Sequence, residues 1–454
     1  MRINPEWQYR RVRDRMRERL RDLVLMKRHF KSAGIFCLRC ADSGAQKIYF
    51  LAIMAVFSSV VWNCPETYGA DVSIKPSVTL REEYDDNIFL TKDNRVDDFI
   101  TKVIPSISIK YKTPIWDLGL NETFYWWYYA KQARGYYSND ANIISKLTVI
   151  KNLLYFDVTD TYSSVILNPR GPSTTENLNV NRSDSNTFNA SPYVKYQLDP
   201  ATAVTAGYAY TDIWYRSSDG VNRQQHKGFL SIQHAFNPKV NILLGAEYVE
   251  DRPKNTEPEN DQTAVFTTVL YNIDPRTSFE GTAGYRMFTF EDSADQNKPF
   301  YDVGVVYRLP QKGKIQLRAS QLFSASATQG IVETALQKLT VSYGEAFSVE
   351  GSVYHSKDNY FEIGQTNEAT GFLAGLTYAP NPRRTYRVSG GYERDKYLPG
   401  DERRSIYLAS AGVDYRLSAK VILGIAYAYN RSTGQLETNN YIDNIVLLQL
   451  RMEI

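Results

Sequence analysis

The residues best suited to chemistry in this chain are four histidines, one acidic cluster and three cysteines. A general base needs a nucleophile within hydrogen-bond reach. His29 lies in an N-terminal leader. His234 shares strand parity with Leu230, Ile232 and Phe236, and His355 with Phe347, Val349 and Val353, so both belong beside apolar neighbours. His226, next to Arg223, Gln224 and Gln225, is the one candidate base, and no serine motif accompanies it. A hydrolase is therefore the remotest functional reading, and no catalytic residue is assigned. The carboxylates of Asp85 and Asp86, followed by Asn87, are oxygen ligands of the kind Ca²⁺ takes. The same residues cap their own backbone where a strand enters a loop. The turn is the expectation, with no metal and no cofactor. Cys37 and Cys40 have redox or zinc spacing but lack a second ligand pair. With Cys64 they all precede Asp71, and a cysteine-free body avoids disulfide shuffling in an oxidising compartment.

A second set of candidates is defined by position rather than by reactivity. Lys102, Lys110, Lys195, Arg286, Arg308, Arg318 and Arg387 recur on the polar side of alternating segments. Asp157, Glu247, Glu280, Asp302, Glu350 and Glu393 do the same with the opposite sign. Such residues could line an aqueous lumen and set its selectivity, or bridge it with ion pairs.

The elements that must carry them are strands. From Asp71 onward no segment sustains a helical period, whereas runs of about ten residues alternate apolar and polar. Phe99, Thr101, Val103, Pro105, Ile107, Ile109 and Tyr111 form one face of such a run; Ile100, Lys102, Ile104, Ser106, Ser108 and Lys110 form the other. In another, Ile315, Leu317, Ala319 and Phe323 oppose Gln316, Arg318 and Ser320. A soluble β-sandwich would also alternate, but three features point to a membrane barrel. Short connections with turn chemistry, such as Asp199-Pro200-Ala201-Thr202 and Asp274-Pro275-Arg276-Thr277, alternate with long polar ones. The long ones are Asp85–Asp98, Lys131–Asp140, Asn168–Asp184, Arg216–Gln225, Asp251–Asn260, Glu291–Lys298, Ser356–Gln365 and Arg431–Asn440. Aromatics cluster at segment ends, notably Trp116, the Tyr125–Tyr129 block, Tyr208, Trp214 and Tyr378, as interfacial girdles require. The chain ends inside an alternating segment, with Ile442, Val446, Leu448, Leu450, Met452 and Ile454 on one face.

The fold expected is all-β: a single-chain, antiparallel, up-and-down transmembrane β-barrel without a plug domain. The segments number about twenty, with sixteen or eighteen as alternatives because Ala141–Ile150 and Val332–Val341 are weakly patterned. Three regions divide the chain. Residues 1–47 are a basic extension carrying a net +8, which leaves −5 for the remainder against a whole-chain charge of +3. Its arginine-rich stretch reads as an arm for nucleic acid or membrane, or as a start site placed too early, with Met26 the expected start. Residues 48–70 contain the apolar run Ile48–Trp62, too short to span a bilayer and suited to a signal peptide ending near Ala70. Residues 71–454 are the barrel. Its negative charge gives no ground for a nucleic-acid partner.

Near Tyr84-Asp85-Asp86-Asn87 the sequence reads REEYDDNIFL, followed by a polar loop and FITKVIPSISIKY. This resembles the outer-membrane β-barrel porin family associated with PEP-CTERM/exosortase protein sorting and exopolysaccharide loci. The resemblance implies an outer-membrane location in a Gram-negative bacterium and a role in the cell envelope. The expected function is a passive channel for small polar solutes, or an export pore for those systems. The alternative is a closed structural or ligand-binding barrel whose outer loops contact lipopolysaccharide, polysaccharide or a secretion partner. Outer-membrane lipid and the barrel-assembly machinery are expected partners, and both termini are expected in the periplasm.

Overall fold

Strands with one face for lipid and one for water cannot leave an edge open in hydrocarbon, where unpaired backbone groups have no partner. The computed structural model shows the solution, a closed ring. It describes residues 70–454 except 175–176, 178–179, 255–257, 292–293, 311, 329 and 362. The expectations for the basic extension, the apolar run, the cysteines and His29 lie outside the described residues.

The first five strands are β1 (Asp71–Asp85), β2 (Asp98–Lys112), β3 (Trp116–Tyr129), β4 (Arg134–Ile150) and β5 (Leu154–Ile166). Next come β6 (Arg182–Gln197), β7 (Thr202–Tyr215), β8 (Arg223–Asn237), β9 (Val240–Pro253) and β10 (Asn260–Asn272). Then follow β11 (Thr277–Phe290), β12 (Gln296–Leu309), β13 (Gly313–Ala325), β14 (Ile331–Gly344) and β15 (Phe347–Tyr360). The last are β16 (Gln365–Asn381), β17 (Arg384–Leu398), β18 (Glu402–Arg416), β19 (Val421–Gly434) and β20 (Tyr441–Glu453). Each strand pairs antiparallel with the next, and β1 pairs with β20 through Ser77–Asp85 to close the ring. The two weakly patterned segments are strands, lying within β4 and β14. Because the strand number is even, the chain enters and leaves the barrel at the same end, that of the short turns.

Those turns are held by side chains that accept from their own backbone. Asp199 Oδ1 accepts from the amides of Ala201 (2.7 Å) and Thr202 (2.9 Å). Asp274 Oδ1 does the same with Arg276 (2.7 Å) and Thr277 (3.0 Å), and Asn237 Oδ1 with Lys239 (2.8 Å) and Val240 (3.0 Å). Hydrogen bonding by the Thr277 side chain, and then by these amides, holds the Asp274 carboxyl below the usual carboxylate range.

The two faces of the wall differ as the alternation requires. Phe99 (55% exposed), Leu230, Leu244, Val265, Leu317, Val353, Val388, Ile425 and Leu448 cover the outside. An apolar surface of this extent belongs against lipid, not water. Tyr196, Phe236, Tyr271, Tyr307, Tyr343, Phe347 and Tyr378 ring its short-turn edge. Trp126, Tyr128, Tyr137, Tyr208, Trp214, Tyr248 and Tyr285 ring the other. The two rings match the aromatic girdles of a transmembrane barrel.

Three sequence readings need correction. Residues 131–140 are not a loop: β3 and β4 run on to a tight turn at Ala130–Ala133, with Ala133 at φ 49°. Polar strand residues there stand beyond the apolar band, where water can reach both faces. Secondly, the Tyr125–Tyr129 block is not wholly interfacial. Trp126 and Tyr128 face outward, while Trp127 and Tyr129 are buried inside with Ile88 and Ile100. Thirdly, Phe323 does not share a face with Leu317; it packs inward against Phe288, Phe290 and Ile331. Leu322 is the exposed residue there instead, so simple alternation fails where an aromatic cluster offers burial.

Candidate channel and its loop-closed mouth

Inside the ring, the two halves are unlike. Toward the short turns, inward side chains are open to solvent. Two basic cross-strand pairs stand there, Arg308 opposite Lys314 and, four residues further along β13, Arg318 opposite Lys338. Arg318 also reaches Asp302 (Nε to Oδ1 2.7 Å). Lys110, Asp157, Lys195, Glu280 and Glu350 lie on the same inner face in this half, and Arg387 pairs with Asp414. A side chain that keeps half its surface wet on the inside of a closed wall, as Arg387 does at 51%, requires an aqueous lumen.

Toward the long loops, the inner face is packed. Lys102 Nζ meets Glu83 at 2.6 Å, and Arg223 meets Asp251 at 2.7 Å, all four side chains buried. Arg286 pairs with Glu247 and bonds Gln262 Oε1 at 2.8 Å, and Glu393 accepts from Tyr354. Of the charged positions read from the sequence, Lys102, Glu247, Arg286 and Glu393 thus sit in this packed half rather than beside open water. Replacing Asp251 with alanine would remove the carboxylate paired with the buried Arg223 guanidinium and should cost roughly 3–5 kcal/mol of stability. Denaturant titration of the heat-modifiable folded band measures it; a loss below about 1 kcal/mol would show that the pair carries little of the fold.

The mouth on this side is spanned by the described residues of the connection between β5 and β6, residues 167–174 foremost. On a ring of twenty strands, β16 lies ten places from β6, and the loop reaches it. Arg170 donates to Asn367 Oδ1 on β16 (Nη2 3.0 Å) and to the Leu398 carbonyl (3.3 Å), and its guanidinium stacks on the Tyr397 ring at 5.0 Å. Arg404 of β18 returns the grip. Held by Asp395 (2.7 Å), it donates to the carbonyls of Pro169 (3.2 Å), Arg170 (3.4 Å) and Gly171 (3.1 Å). Asn439 donates to the Arg170 carbonyl (2.5 Å), Tyr441 to that of Ser173 (2.9 Å), and Asn177 to that of Ile88 (2.7 Å). Neighbouring loops join the span. The Thr328 hydroxyl reaches the Leu167 carbonyl (3.4 Å), and the Val221 amide reaches that of Ala327 (2.8 Å). Among them lies a cavity of about 500 Å³, lined by Leu167, Asn168, Asn181, Arg182, Ser217, Asp219 and Thr328.

At the end of β1, Asp85 and Asn87 make the turn expected of them, the Asn87 amide donating to Asp85 Oδ1 at 2.7 Å. Asn87 is otherwise spent on Thr91 and on the Ile442 carbonyl (2.9 Å). Asp86 accepts from the amide and side chain of Asn444 (2.7 and 2.6 Å), and Tyr84 donates to Asp97 (3.2 Å). The ring closure adds a third carboxylate, Asp443 of β20, beside Asp85 and Asp86.

The histidines are on the other side of the wall. His226 lies on the outer face, where its Nδ1 meets the Tyr208 hydroxyl at 2.5 Å. His234 bonds Thr202 and His355 bonds Thr370, both through Nδ1 at 2.8 Å and both on apolar outer rows. The candidate base is thus set toward lipid rather than in the lumen.

No family model matches the chain, nor does any curated protein. Solved structures similar to it are barrels. The outer membrane protein OpdK of Pseudomonas aeruginosa is 11% identical, with 84% of this chain and 98% of that one covered at a TM-score of 0.38. The ferric enterobactin receptor of the same organism, as a mutant with enterobactin, is 9% identical, covering 86% and 82% at 0.49. A loop-deletion mutant of OmpT, an outer membrane protein of Vibrio cholerae, is 10% identical, covering 84% and 99% at 0.36. Likenesses this weak do not bear on what the chain does; its own wall, lumen and mouth do.

Arg170, Arg404, Asp395 and Asp443 were not singled out by sequence. Asp395 and Arg404 stand directly opposite each other on β17 and β18, a signal that required the register to be known first.

Proposed function

We propose that the protein is an outer-membrane channel for small polar solutes, with a preference for anions and a mouth closed by its own β5–β6 loop. The observation that carries this reading is the solvent-exposed basic strip of Arg308, Lys314, Arg318 and Lys338 on the inner wall below that loop. Adjacent like charges are costly unless water or an anion lies between them, and charged rings of this kind set pore selectivity. In this orientation the long loops face outward and both termini face the periplasm. Lipopolysaccharide then meets the long-loop rim, and the assembly machinery receives the finished strands. Export of exopolysaccharide or sorted surface proteins, suggested by the sequence resemblance, would require the loop to leave the mouth first.

Planar-bilayer recording of the protein purified from membranes tests the proposal. Small conductance steps with a reversal potential favouring chloride are expected. Absence of steps at any salt concentration would overturn it. It would favour the second reading, a closed barrel whose 500 Å³ polar cavity among the loops is a binding site.

A further inference from the structure

At the long-loop end of the seam between the first and last strands, three carboxylates come together. Asp85, Asp86 and Asp443 each offer an oxygen, and these oxygens lie within 4.8 Å of one another. Among the described residues, none of the three forms an ion pair with a lysine, arginine or histidine. Two bases in the adjoining part of the wall, Arg81 and Lys102, both pair with Glu83 instead. Clustered carboxylates on exposed loops are commonplace, since water screens them. Here Asp85 is 3% and Asp443 0% exposed. Burying anions together without a positive partner is strongly unfavourable.

An independent observation lies in the same layer of the wall. Asp443 Oδ1 is buried and has no hydrogen-bond partner, although Oδ2 accepts from Asn430 at 3.2 Å. Ser432, 1% exposed, also has a buried hydroxyl without a partner. It belongs to the same inner row as Asn430 and faces Tyr441, the inward residue next to Asp443. Buried oxygens are almost always satisfied by hydrogen bonds, water or an ion. The unsatisfied oxygen of Asp443 beside two further carboxylates makes an all-oxygen donor set, which hard divalent cations select. Asn87 is not part of it, because its amide is fully engaged in the turn.

We propose that Asp85, Asp86 and Asp443 bind a divalent cation, with Ca²⁺ the best match, and that the ion clamps the β1–β20 seam at its long-loop end. The seam needs such a clamp more than other pairings do. It covers only Ser77–Asp85 of β1, whereas β1 pairs with β2 along its whole length.

Titration calorimetry with CaCl₂ on the full-length protein, purified in detergent and stripped with chelator, is the direct test. One Ca²⁺ per chain should bind, and Asp443→Asn should weaken binding at least tenfold. Thermal unfolding should shift upward with Ca²⁺ in the parent and not in the variant. Should Asp443→Asn fail to fold, Asp86→Asn keeps the test open, since Asp86 is less buried and its cross-seam partner Asn444 on β20 can still bond an amide. Two results would overturn the proposal. One is no Ca²⁺ binding by the parent protein, with Asp443→Asn more heat-stable than the parent, the signature of a shared proton. The other is unchanged Ca²⁺ affinity in both variants.

Discussion

Replacing Arg404 with alanine should raise single-channel conductance roughly threefold or more, because it releases the loop that spans the mouth of a barrel wide enough to conduct. The guanidinium is buried against Asp395 and supplies hydrogen bonds to three consecutive loop carbonyls, Pro169 to Gly171. Without it those carbonyls lose their donors while the loop stays in place, at about 1–3 kcal/mol for each buried group left unsatisfied. The inward position then loses its advantage over a hydrated one. The Arg170 bonds to Asn367 and Leu398, with those that Asn439 and Tyr441 donate to the loop, must then hold the span. Arg404→Lys separates latch from charge. An ammonium can still pair with Asp395 but cannot fork to three carbonyls, so its conductance should fall between parent and alanine variant. Unaltered conductance in a folded Arg404→Ala protein would mean that the loop does not limit passage.

The second large effect concerns selectivity. With Lys314 and Lys338 both changed to glutamate, the reversal potential in a KCl gradient should change sign. A preference for chloride should become one for potassium, by roughly fivefold in permeability ratio at low salt. The two lysines stand next to Arg308 and Arg318 on the inner wall. Reversing them turns a basic strip into alternating ion pairs and removes the attraction for anions. The effect should shrink toward molar salt, where the screening length falls to about 3 Å. A reversal potential that stays put would show that ions pass elsewhere, or that the packed half sets selectivity.

Much of this architecture was legible in the residue order. Period-two alternation separates Phe99 from Lys102 and Leu317 from Arg318 without knowledge of any partner, because parity is a local property. The Asp-Pro-x-Thr turns are local too. The loop's direction is not. Residues 167–181 read as a long polar connection whether they point inward or outward, and only partners distant in the chain, Arg404 above all, decide. Asp443 is equally invisible, since ring closure brings it to Asp85 across nearly the whole length of the chain. Phe323 misled for the opposite reason. Its parity was right for the strand, but a cluster built from Phe288 and Phe361 outweighed parity at that place.

The seam has a consequence for assembly. Nineteen of the pairings join strands adjacent in the chain and can form as each hairpin emerges, with short loops to close. The pairing of β1 with β20 joins residues such as Arg81 and Gln449, 368 positions apart, and must wait for the last strand. Until then β1 presents an unpaired edge that could template pairing with another chain. Completion of the C-terminal strand is therefore the step that turns an adhesive curved sheet into a sealed wall.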